Sequence, residues 1–161
     1  MDSEWDCVMS DIISSERQLE TLIEDVRKAP ALNRDLFLKI IEEGGSRLWN
    51  LNGRSRAPLS RLVEQGAWID ASLTLLECDS PQWKLRRLLR EDGEWFCSLS
   101  KCPSVPLELN DTADAHQEDA ALAILSAFLE AERKAMTDSY QDERGGVRAR
   151  KGTLLDCENF A

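Results

Sequence analysis

Apolar side chains recur at spacings of three and four over Met9, Ile12, Ile13, Leu19, Leu22, Ile23 and Val26. That spacing predicts one apolar stripe on a helix from about residue 7 to 28. Pro30 stops it, and Asn33 is placed as the N-cap of a second helix with Leu36, Phe37, Ile40 and Ile41 inward and Gly44 past its end. The pattern then breaks over residues 45–57, rich in Gly, Ser, Asn and Arg, which read as a loop. Helical spacing returns from Leu59 to Glu77, with Leu62, Ile69, Leu73 and Leu76 on one stripe and Gly66 a point where the helix kinks or divides. Asp79-Ser80-Pro81 ends it.

Between Trp83 and Lys101 the period changes to that of strands, around a turn at Glu91-Asp92-Gly93-Glu94. A two-residue turn of Asp92-Gly93 pairs Leu89 with Phe96 and Arg90 with Trp95, and leaves both faces mixed. A three-residue turn with Gly93 in a bulge pairs Arg90 with Glu94, Leu89 with Trp95 and Leu85 with Leu99. The second register is preferred, because it gathers Trp83, Leu85, Leu89, Trp95, Cys97 and Leu99 on one face and the charged residues on the other. Leu88 and Phe96 are then out of place on the polar face. Residues 103–115 read as an irregular polar connection, followed by a helix from about Gln117 to Met136 with Ala121, Leu122, Leu125, Phe128 and Leu129 inward. Beyond it the apolar period disappears.

The expectation is an α+β fold, four or five amphipathic helices packed on a central antiparallel β-hairpin. It divides into an N-terminal helical pair (1–44), a loop (45–57), a helix-hairpin-helix core (58–136) and a mobile tail (137–161). A lone hairpin is marginal in water, so it must pack on the helices or pair with further strands, a second subunit included.

The stretches Trp68-Ile69-Asp70-Ala71-Ser72-Leu73, Pro81-Gln82-Trp83-Lys84-Leu85, Asp92-Gly93-Glu94-Trp95 and Ala121-Leu122-Ala123-Ile124-Leu125 carry a resemblance. They resemble the helix-hairpin-helix unit of small uncharacterised rhizobial proteins and of phage-type "ABA sandwich" proteins. The resemblance covers less than half of the chain and implies an architecture, with no activity.

Charge narrows the partners. With 30 acidic and 20 basic residues in 161, the net charge of −10 opposes general attraction to nucleic acid or an anionic membrane. No apolar run reaches the length of a membrane span, and the acidic Met1-Asp2-Ser3-Glu4-Trp5-Asp6 start is unlike a signal peptide, so a cytoplasmic location is expected. Five scattered cysteines with no C-x-x-C pair fit reduced thiols.

Chemistry is sparse. His116 is the single histidine, which excludes mechanisms and zinc motifs that need two imidazoles. Its H-x-E context, His116-Gln117-Glu118, lacks the P-C-x-x-C half of a zinc deaminase signature. Cys97, Cys102 and His116 are weak candidate metal ligands, with Cys97 better read as a buried small hydrophobe. No cofactor is implied. Two surface features remain: the basic strand bearing Lys84, Arg86 and Arg90, and Trp49 with Arg47 in the polar loop, an aromatic and arginine pairing of the kind found in binding hot spots. The leading expectation is a non-enzymatic protein-interaction module that binds a protein partner, with a homodimer as an open form of it. The alternatives are an acidic, immunity-like inhibitor of a basic site and a small thiol- or zinc-dependent enzyme.

Overall fold

The computed structural model describes residues 3–43, 56–106 and 111–145. The chain is α+β. Five helices, α1 (Ser3–Lys28), α2 (Arg34–Glu43), α3 (Arg56–Glu64), α4 (Trp68–Asp79) and α5 (Ala120–Gly145), accompany strands β1 (Lys84–Glu91), β2 (Glu94–Ser100) and β3 (Thr112–Gln117). The strands form an antiparallel meander in the order β1-β2-β3.

The N-terminal helices follow their apolar stripes from Leu19 onward, whereas Ile13, expected inward, is exposed. Leu19, Leu22 and Val26 of α1 and Phe37, Ile40 and Ile41 of α2 are buried. The Asn33 side chain accepts from the Leu36 N–H at 2.8 Å, the N-cap bond its position predicts. Lys39 reaches back to Asp25 at 2.6 Å, and this hydrogen bond holds the ammonium pKa above its usual 10.5. The helical span over residues 59–77 divides at Gly66, one of the two outcomes expected there. Val63 and Leu62 carbonyls accept from the N–H groups of Gly66 (3.2 Å) and Ala67 (2.9 Å), a Schellman closure that needs the positive φ of 67° at Gly66. Phe37 meets Trp68 across the α2–α4 junction, with ring centroids 6.0 Å apart.

The centre of the molecule is α5 rather than the hairpin. Its residues Ala121 to Leu125 and Ala127 to Leu129 are all 2% exposed or less, so the helix is enclosed on every side along its first turns. The sheet covers one side, α1 and α4 the others. Alanines at 121, 123, 127 and 131 let these neighbours approach closely. Asp119 caps it, its carboxylate accepting from the Leu122 N–H at 3.0 Å. The Ser80 hydroxyl donates to Glu132 and ties the end of α4 to α5. Helix α5 continues to Gly145, so residues 137–145, assigned to a mobile tail, are helical. Both N-terminal helices contribute to the same hydrophobic cluster as the sheet and α5.

The hairpin corrects the preferred register. Glu91 pairs with Glu94, Arg90 with Trp95 and Leu89 with Phe96, the arrangement of a two-residue turn. Asp92 (φ 51°) and Gly93 (φ 90°) are both left-handed, as a type I′ turn requires. A bulge between Leu85 and Arg87 then shifts the ladder by one residue and restores the expected pairing of Leu85 with Leu99. A third strand, β3, occupies part of the segment expected to be irregular, with Leu99 opposite Ala113 and Cys97 opposite Ala115.

Candidate functional site

Alternation along the corrected ladder sorts the sheet into two faces. The inner face carries Leu88, Trp95, Cys97, Leu99, Ala113 and Ala115, all belonging to or packed on the core under α5. The outer face carries three cross-strand rows: Leu89–Phe96–His116, Arg87–Ser98–Asp114 and Lys84–Ser100–Thr112. Helix α5 is the element that covers the sheet, and it lies on the inner side.

The outer face is not uniform. At the end of β2 the turn following Ser100 folds over it: the Cys102 N–H donates to Ser100 Oγ at 3.1 Å, and Arg86 donates to the Val105 carbonyl at 3.2 Å. Ser98 and Ser100 are consequently buried, at 2% and 0% exposed. Towards the hairpin turn the face is open. Leu89 and Phe96 are half-buried, lie outside the hydrophobic cluster and leave His116 exposed beside them. Phe96 and His116 stack across β2 and β3 with ring centroids 4.8 Å apart and planes tilted by 41°. An apolar and aromatic row is thus bordered on its own face by the exposed cation Arg87, with Lys84 one row further along, while Arg90, opposite Trp95, belongs to the inner side.

The candidate residues from the sequence divide accordingly. Lys84 and Arg90 are exposed on β1, Arg90 beside the turn and opposite Trp95. Arg86 is committed to the Val105 carbonyl from its bulge position, and Arg87 is the exposed cation of the middle row. Trp49 and Arg47 lie outside the described residues. Leu89 and Phe96 were missed as a surface pair, and their pairing in the two-residue register was the available signal.

The candidate metal and thiol groups are kept apart. Cys97 is fully buried on the inner face, where burial, aided by the Asp114 charge, pushes its thiol up to about 12. His116 is on the outer face, and Cys102 is exposed in the turn after β2. Among the described residues no three His, Cys, Asp or Glu side chains gather to hold a metal ion. No helix among them is long and apolar enough to cross a membrane.

A second feature is an open groove of about 1020 Å³ between α1 and the later turns of α5, lined by Ile13, Arg17, Glu20, Lys134 and Asp138 with Trp83 beneath. Its charges are mixed, which fits no single ligand class. Trp83 is 1% exposed, and its ring lies under the Lys101 ammonium at 5.1 Å. No family model, curated protein or solved structure matches the chain.

Proposed function

We propose that the protein is a non-enzymatic interaction module that binds a partner protein on the outer face of its sheet. The observation that carries this reading is the Leu89–Phe96–His116 row, half-buried or exposed and outside the core, next to Arg87 and with Lys84 further along the same face. Aromatic and arginine side chains grouped around an apolar centre are the usual composition of an interface anchor. The cationic border favours a partner with acidic groups around an apolar contact, and it is set within a chain of net charge −10. A binding role rather than catalysis draws support from the placement of the nucleophile candidates. The Cys97 thiol is held protonated in the core, and the imidazole of His116 is on the other face of the sheet.

The test is affinity capture from the native cell, comparing the wild type with Phe96→Asp and with Arg87→Glu. The expected result is one partner whose recovery falls in both variants while circular dichroism stays unchanged. Equal recovery of every captured protein by folded variants would remove the face from consideration.

A further inference from the structure

The two edges of the sheet differ in a way that the outer face does not explain. Edge strand β1 carries Lys84, Arg87 and Arg90 and is interrupted by the bulge at Arg86, both of which are devices that block strand addition. Edge strand β3 has neither. Its six residues, Thr-Ala-Asp-Ala-His-Gln, pair with β2 without a register shift and include no Lys, Arg or Pro. No further strand pairs with it among the described residues.

We propose that this β3 edge is a self-pairing interface, joining two copies of the chain antiparallel about a twofold axis at Ala115, with Asp114 of each copy opposite His116 of the other. The union makes one continuous six-stranded sheet from two three-stranded ones. It uses backbone groups along an edge and shares only the His116 side chain with the binding face proposed above, so the Ala115→Cys link below reads it apart from that face.

Charge selects the register. An axis at Asp114 sets two carboxylates opposite one another, and an axis at His116 leaves Asp114 without a cationic or imidazole neighbour across the join. An axis at Ala115 offers each Asp114 an imidazole and keeps the join within the strand, with Ala113 opposite Gln117. The Thr112 carbonyl accepts from the Lys134 ammonium, which closes that end of the edge, so the added strand pairs over residues 113–117. At the axis itself two alanines face one another, small enough for the strands to close to ordinary sheet spacing. The same twofold operation on β1 opposes cations to cations wherever it is centred on Lys84, Arg87 or Arg90.

The experiment measures mass in solution over a concentration series, with variants that reverse the charge pairing. Wild-type mass is expected to rise from 18.2 kDa towards twice that value. His116→Asp turns both symmetric pairs repulsive and is expected to raise the dissociation constant about tenfold, while Asp114→Lys combined with His116→Asp restores it. Mild oxidation of Ala115→Cys in a Cys102→Ser background is expected to join the peptide containing position 115 to its own copy, since directly opposed residues in a sheet are within disulfide reach. A mass of one chain up to about 1 mM overturns the proposal. So does a dimer that both charge variants leave unchanged, or one that yields no linked peptide at position 115.

Discussion

Phe96 and His116 stack across two strands, at 4.8 Å between ring centroids, on the side of the sheet away from α5. A contact that contributes little to the core is therefore spent on a surface. Phe96→Ser is expected to lower stability by about 1 kcal/mol or less in urea unfolding, well under the cost of a core aromatic, and to abolish partner capture. Phe128→Ala, which removes a core ring 1% exposed, is expected to cost about 3–5 kcal/mol in the same measurement.

The turn of the hairpin needs left-handed backbone at two consecutive positions, Asp92 and Gly93. No atom lies within 4 Å of a Cβ built at Gly93, so Gly93→Ala meets strain and no clash. Denaturant unfolding is expected to show a loss of about 1–2 kcal/mol, and Asp92→Gly no loss.

Asn33 makes the one side-chain bond that starts α2. Asn33→Ala is expected to destabilise by about 1 kcal/mol and Asn33→Asp much less, read as shifts in the urea midpoint at constant slope.

Cys97 gives stability a dependence on alkaline pH. The folded chain holds the thiol proton up to about 12, whereas an unfolded chain releases it near 9.0. The folded state therefore binds more protons between those values, and the contribution is full below pH 9.0 and lost as pH rises to about 12. The slope this one group adds is about 1.4 kcal/mol per pH unit. Unfolding free energies of wild type and Cys97→Ala, measured across that window, are expected to converge as pH rises. Thiol labelling of the folded protein is expected to be faster at the exposed Cys102 than at Cys97.

Much of the helical architecture is legible in the sequence because burial there has a simple period. The stripe of α1 from Leu19 on, that of α2 and the inward set of α5 follow from apolar spacing, and the Asn33 cap from its residue type before that stripe. Trp83, Trp95, Cys97 and Leu99 were also placed on the core side. The hairpin register was not, because a two-residue turn plus a bulge at Arg86 leaves Leu85 opposite Leu99, as a three-residue turn would. Two local irregularities cancel at one end of the ladder and reverse Leu88 and Leu89 at the other. Strand β3 was missed because its inward residues include only alanines as apolar groups, small so that α5 can lie close. Its strand character is imposed by β2 and α5, outweighing its weak local propensity. Of the candidate site, the basic strand was visible, whereas which of its cations is tied back to Val105 depends on the bulge.

The enclosure of α5 also governs how the chain must assemble. The meander and α5 are consecutive in sequence, so their contacts close short loops, whereas α1 reaches α5 across almost the whole chain. The sheet with α5 docked on it is the part that forms at least entropic cost, and α1 condenses on the remaining side of that helix afterwards. Pulsed hydrogen exchange during refolding is expected to protect amides of Trp95 to Ser100 and of Ala113 to Leu129 ahead of those from Leu19 to Val26. The N-terminal helices are then the last structure gained in folding and the first released when the protein is stressed.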